Sequence, residues 1–184
     1  LYNAFAFRYC WIMLNDNDTS SLFEFDDHVY CCFFGDDNLF AVSPEYQNLF
    51  TEKFLEDSMK SLGLTYTAED KGVISDALRP LEKVSFLKRS FRYCNIKKRW
   101  LAPLQLDVIL EIPCWTKNRH DKIEITVANC ESAIFSLSLH GDEVFNEYVP
   151  KIAEALNKAH GKWPRCTDYL QSLEFSTERL IDFF

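Results

Sequence analysis

Along the first fourteen residues, apolar side chains fall on most faces of a helical wheel, from Leu1 through Phe5, Phe7 and Trp11 to Leu14. That pattern predicts a buried helix. The polar run from Asn15 to Ser21 breaks it. Two apolar runs follow, Val29 to Phe34 and Leu39 to Val42, separated by Gly35-Asp36-Asp37-Asn38. They predict a β-hairpin buried on both flanks and joined by a four-residue turn. Ser43 and Pro44 suit the N-cap and first position of a helix. Tyr46, Leu49, Phe50, Phe54, Leu55, Met59 and Leu62 then recur at three- and four-residue spacing up to Gly63, which closes that helix. Short strands are expected at 64–67 and 72–75 around the turn 68–71, and a second hairpin within 84–93.

After about Asn95 the pattern turns helical. Ile123, Val127, Cys130, Ile134 and Leu137 mark one helix face that ends at His140-Gly141. Asp142 can cap the next helix, whose apolar positions are Phe145, Tyr148, Val149, Ile152 and Leu156. Pro150 should kink or restart it. Residues 167–173 and 177–184 read as shorter helical pieces. The fold class is therefore α+β, with hairpins and packed helices in the first half and mainly helices in the second.

Composition narrows the class. Of 184 residues, 47% are apolar and only 11 are Gly or Pro, which excludes collagen-like and low-complexity chains. No uncharged apolar run approaches the ~18 residues a membrane-spanning helix needs. Arg8 interrupts the apolar start, so it does not read as a signal peptide, and a first residue other than Met suggests a part of something longer. Seven cysteines at irregular spacing include no C-x-x-C pair, which favours neither zinc nor a disulfide framework and fits a reducing compartment. The four histidines read as packing or surface groups, and Trp115 and Trp163 as core residues.

Charge changes the picture more. The net charge is −8, yet 83–106 contains no acid and seven bases: Lys83, Lys88, Arg89, Arg92, Lys97, Lys98 and Arg99. Without those seven the rest of the chain stands at −15. Phe86, Phe91, Tyr93 and Trp100 are interleaved with the bases. A basic, aromatic strip on an acidic body suits a groove that tracks phosphates, although a solvated basic loop has the same composition.

Asp36 and Asp37 carry the candidate chemistry. Adjacent carboxylates in a partly dry hairpin tip repel, and a cation relieves that. Hard oxygen ligands completed by water and phosphate describe a magnesium site. Gly, Asp and Asn are equally the usual turn formers, so this tetrapeptide alone reads more readily as a plain turn.

Its neighbours alter that reading. Phe34-Gly35-Asp36-Asp37-Asn38 between apolar strands resembles motif C of viral RNA-directed RNA polymerases. Gly63-Leu64-Thr65-Tyr66-Thr67-Ala68-Glu69-Asp70-Lys71 resembles motif D of the picornavirus-like group, and Phe86-Leu87-Lys88-Arg89-Ser90-Phe91 its motif E. Weaker similarity to the thumb lies in Cys114-Trp115-Thr116-Lys117 and in the helix ending at His140-Gly141. Within that group the resemblance points to the insect-infecting dicistrovirus and iflavirus groups or to related unclassified viruses.

The resemblance implies a partial polymerase palm at 1–94, with the helix after motif B and motifs C, D and E, followed by a helical thumb at 95–184. It implies Asp36 as the main metal ligand, Asp37 as the secondary one, and Asn38 as a turn-shaping residue. Magnesium, or manganese in its place, is the implied cofactor. Lys71 matches the lysine that protonates the departing pyrophosphate, and Lys88 and Arg89 the grip beneath the primer strand, with Arg92 extending it. On a strand, Lys88 and Arg89 would face opposite sides. The implied partners are template and primer RNA, nucleoside triphosphates and the upstream fingers and palm of the same polyprotein. A protein-linked primer is also admitted, and the expected location is the host cytoplasm at membrane-associated replication complexes. The aspartates of motif A, the Ser-Gly of motif B and motif F have no match here, so the isolated chain is expected to be inactive. A reverse-transcriptase-like palm is the rival among enzymes, and a non-catalytic RNA- or metal-binding module that retains the hairpin is the rival outside them.

Overall fold

The computed structural model describes residues 2–69, 71–115 and 121–178. The chain divides into two compact units, Leu1–Leu87 and Lys88–Phe184. The compositional change near Asn95 falls inside the second. Asp70, Thr116, Lys117, His120 and the end of the last expected helix lie outside the described residues.

In the first unit, helix α1 (Tyr2–Leu14) forms as expected but buries one face, made by Ala6, Phe7, Cys10 and Trp11. Tyr2, Phe5 and Tyr9 are exposed, so the expectation of burial all round is corrected. A short 3₁₀ turn (Thr19–Phe23) and helix α2 (Phe25–His28) lead into strands β1 (Val29–Phe34) and β2 (Asp37–Val42). The strands pair antiparallel, with Val29 opposite Val42 and Phe34 opposite Asp37. Val29, Cys31 and Phe33 turn towards α1, whereas Tyr30 and Phe34 are 77% and 67% exposed. The hairpin is thus covered on one face rather than both, because alternate residues of a strand point to opposite sides.

Phe7 and Trp11 organise this core. Phe7 meets Phe33 and Phe40 edge-on at 5.1 and 5.4 Å, and Trp11 lies between Phe25 and Phe50. Burying such rings contributes roughly 1.5–3 kcal/mol each. The indole N–H of Trp11 donates to the Ser21 carbonyl at 2.9 Å, so its one polar atom is satisfied.

Helix α3 (Glu52–Ser61) begins eight residues later than Ser43-Pro44 predicts. Ser43 is engaged elsewhere, sharing a 3.0 Å hydrogen bond with His28, and 44–49 form turns. Phe50 drops fully into the core, and Thr51 is the real N-cap, its hydroxyl accepting from the Phe54 amide at 3.1 Å. The helix does close at Gly63 (φ +74°). The amides of Gly63 and Leu64 donate to the carbonyls of Lys60 and Met59, the paired bonds of a Schellman cap. The segments 64–67 and 72–75 are not in a ladder among the described residues, which corrects the expected strands.

In the second unit, strands β3 (Arg92–Cys94) and β4 (Arg99–Leu101) form the second hairpin, placed later than expected. Helix α4 (Leu106–Glu111), helix α5 (Lys122–Ser138), helix α6 (Asp142–His160) and helix α7 (Tyr169–Glu178) follow. Ile109, Ala133, Ile134, Leu137, Phe145 and Val149 make their shared core. Gly141, rather than Asp142, occupies the N-cap of α6. The helix continues through Pro150 without restarting, held on either side of the proline by buried Val149 and Ala153. Trp115 and Trp163 are 70% and 60% exposed, so neither is a core residue.

Candidate functional site

The hairpin tip is tighter than the sequence suggests. Because Phe34 pairs with Asp37, the loop is the two residues Gly35 and Asp36. Gly35 has φ +62° and Asp36 does not have positive φ, the pattern of a type II′ turn with glycine in its first central position. Asp37 and Asn38 therefore belong to β2, which corrects Asn38 as a turn residue. Asn38 instead accepts, through its side-chain oxygen, a 3.4 Å hydrogen bond from the Tyr66 hydroxyl.

A residue with no signal in the local pattern supports this turn. The Asn3 side-chain amide donates to the carbonyls of both Gly35 and Asp36, each at 3.0 Å. Helix α1 thus holds the turn from beneath, and Phe7, one helical turn further on, packs on Phe33 of the same hairpin. Asn3 could have been found only by knowing that α1 lies along the hairpin, 32 residues away in sequence.

Asp36 and Asp37 are exposed, not partly dry, because the tip of a two-stranded hairpin reaches beyond the core that covers its base. As a donor set they fit a magnesium ion: adjacent hard carboxylates open to solvent, with room for water and phosphate oxygens to complete the shell. Among the described residues, no third histidine, cysteine or acid joins them in a cluster. Cys31, on the inward face of β1, is no competing soft ligand, since burial pushes its thiol up to about 12.

Lys71 lies in the same unit, exposed, at the end of a turn whose closing bond runs from its amide to the Ala68 carbonyl (3.0 Å). Its φ of +57° is the left-handed region, uncommon for a residue with a side chain. Ala68 is buried on the near side of that turn. Tyr66, just before it, is half-buried near Glu52, and burial first and that carboxylate second push its hydroxyl pKa up. It therefore stays a hydrogen-bond donor to Asn38.

The first unit ends at Leu87, and Lys88 and Arg89 belong to the second. Residues 86–89 form a tight turn, not the strand that would set Lys88 and Arg89 on opposite faces. Leu87 and Lys88 both have positive φ (53° and 57°), and Arg89 bridges to Leu104. Lys88 is exposed at the turn, and Arg89, also exposed, donates one guanidinium bond to the Ala102 carbonyl at 2.7 Å.

Most other bases of the strip are used internally. Arg92 donates to the Leu139 carbonyl at the end of α5 (2.6 Å), and its guanidinium lies against Gly141, where a side-chain carbon would meet it at 3.6 Å. Lys97 pairs with Glu174, and Arg99 donates to the Thr177 carbonyl at 2.8 Å. Lys98, exposed with φ +51°, sits at the tip of the β3–β4 hairpin.

The family model for viral RNA-dependent RNA polymerase matches residues 1–157. The whole chain aligns at 36% identity with the replicase polyprotein of acute bee paralysis virus (strain Rothamsted), covering 9% of that protein. It aligns at 28% identity with the replicase polyprotein of Drosophila C virus (strain EB), covering 11% of it. Four-fifths of the chain aligns at 31% with the replicase polyprotein of cricket paralysis virus, covering 8% of it. These are dicistrovirus proteins, in keeping with the resemblance read from the motifs, and the chain spans about a tenth of their length. With the motif order, the aspartate-bearing hairpin and this match over most of its length, the chain belongs to the viral RNA-dependent RNA polymerase family.

Proposed function

We propose that this chain forms the part of an RNA-directed RNA polymerase that presents the motif C aspartates, with 1–94 as the end of the palm and the helical 95–184 as the thumb. The reaction is template-directed nucleotidyl transfer: the RNA 3′-hydroxyl attacks the α-phosphate of a nucleoside triphosphate and pyrophosphate leaves. The observation that carries this reading is the Asp36-Asp37 pair, exposed on a two-residue turn that Asn3 fixes, in a chain matched by the polymerase family over 1–157.

Asp36 and Asp37 are the residues that hold magnesium. The bound ion supplies charge neutralisation and Lewis acidity for in-line displacement at phosphorus. Lys71 donates a proton to the leaving pyrophosphate, a role that typically contributes about 10²–10⁴-fold. Lys88 and Arg89 contact RNA phosphates, which gives affinity and register without sequence specificity. Arg92 belongs to this group by resemblance, but its bond to Leu139 supports a bracing role in the second unit. No match to motifs A, B or F occurs in these 184 residues, so we propose that they do not extend a primer by themselves. The rest of a replicase polyprotein supplies those parts, in replication complexes of the host cytoplasm.

The test is primer extension by the complete polymerase that contains this chain. Asp36→Ala is expected to abolish extension while circular dichroism and thermal unfolding stay close to the parent. A folded variant with near-normal extension overturns the metal-ligand assignment.

A further inference from the structure

The loop that carries Lys71 is tied down by a charged cluster in which Glu69 belongs to motif D while Arg79 and Glu52 lie outside motifs C, D and E. The Arg79 guanidinium grips Glu69 with two bonds, Nη1 to Oε1 at 2.7 Å and Nη2 to Oε2 at 2.8 Å. The same Nη2 donates to Glu52 Oε1 at 2.8 Å. Glu52 is the first residue of α3 and is buried. Glu69 Oε1 also accepts from the Ser85 amide at 3.4 Å. One guanidinium therefore joins three stretches of chain: the N-terminus of α3, the 68–71 turn and its own 79–85 segment.

The cluster is costly to assemble without a positioning purpose. Two carboxylates face one cation, and the Arg79 Nε is buried with no hydrogen-bond partner among the described residues. An unsatisfied buried donor forfeits its bond to water without replacing it. Planar, forked donors suit a bidentate grip that a lysine cannot reproduce. The guanidinium also holds the Glu69 carboxyl below the usual glutamate range. Beside this cluster sits Tyr66, whose hydroxyl bonds Asn38, the residue after Asp37.

We propose that Arg79 is a positioning residue for the polymerase reaction: by clamping Glu69 to Glu52 it fixes the 68–71 turn, and so the place from which Lys71 acts. This rests on the proposed acid role of Lys71. Ala68 anchors one end of the turn in the core, Glu69 is held by the clamp, and Lys71 is left exposed on the far side. Without Arg79, Glu52 and Glu69 repel each other and the turn loses its tie to α3.

The experiment uses the complete polymerase. Arg79→Lys keeps the charge and removes the fork. Hydrogen exchange is expected to quicken in 68–78 and to stay unchanged in α1 and α5, and unchanged exchange in 68–78 overturns the proposal. Glu69→Gln leaves one oxygen for the guanidinium and is expected to loosen the same segment less, so the result does not depend on one variant folding. Single-nucleotide incorporation at saturating nucleotide is expected to slow roughly 10–100-fold in Arg79→Lys, the scale of a misplaced reacting group. RNA affinity should stay within about twofold. In a Lys71→Leu background, Arg79→Lys is expected to add no further loss. Losses that multiply overturn the proposal, because Arg79 would then act on something other than Lys71. If exchange quickens in 68–78 while Lys71→Leu leaves the rate unchanged, the clamp on the turn stands and the acid role of Lys71 falls.

Discussion

The hairpin that carries Asp36 and Asp37 was legible because its signals are local: two acids beside a glycine between apolar runs. Asn3 was not, because a side-chain amide acquires meaning only from the carbonyls it meets, and those of Gly35 and Asp36 arrive from another element. Its two bonds oppose rotation of the peptide planes that aim the carboxylates. Asn3→Ala is expected to cost about 1 kcal/mol in denaturant unfolding, as for a surface hydrogen-bond pair. In the complete polymerase it should slow primer extension roughly tenfold, equivalent to ~1.4 kcal/mol of transition-state stabilisation. Unchanged extension would mean that Gly35 and the strand ladder suffice to hold the turn. Arg79 was equally illegible, since Glu52, Glu69 and Arg79 carry no shared spacing and are brought together only when the chain doubles back onto α3.

At the scale of elements, period and capping chemistry located the pieces but not always their ends. The closure of α3 at Gly63 was readable, because a left-handed glycine after the last apolar position is a local signal. Its start was not, because Ser43-Pro44 and Thr51 are both competent N-caps by composition. Tertiary contacts decided between them: His28 takes the Ser43 hydroxyl, and Phe50 must leave the helical path to join Phe7, Trp11 and Phe25. Thr51→Ala is therefore expected to destabilise the chain by about 1 kcal/mol, the usual worth of an N-cap. Ser43→Ala should leave the start of α3 unchanged, as amide exchange in 52–55 would show. Equal protection losses at those amides in both variants would contradict this start. The motif E segment follows the same logic. Its alternating sequence suggests a strand, but 86–89 is a tight turn in which Leu87 and Lys88 accept left-handed backbone, with the Gln105 amide donating to the Lys88 carbonyl at 2.7 Å.

Across the whole molecule, the basic strip changes meaning once the second unit folds. Seven positive charges in 83–106 read as one phosphate-binding track, yet Arg92, Lys97 and Arg99 brace α5 and α7. Lys88 and Lys98 are exposed at turns, and Arg89 is exposed with one bond to Ala102. RNA binding across salt concentrations separates these roles. In the complete polymerase, Lys88→Ala is expected to lower affinity and reduce the salt slope by about 1. Arg92→Ala should lower thermal stability and leave that slope unchanged. A reduced slope for Arg92→Ala would return it to the RNA track.

The sequence by itself determined the α+β class, the aspartate-bearing hairpin, the helix closed by Gly63 and the motif order that marks the polymerase family. Each depends on residues close in sequence, where period, turn chemistry and capping act. Only the tertiary structure decided which hairpin face is covered, that Thr51 rather than Ser43 starts α3, that Asn3 supports the turn and that Arg79 ties the Lys71 loop to α3. Those outcomes depend on which distant groups compete for the same hydrogen bond or the same space in the core, and a linear pattern does not hold that competition.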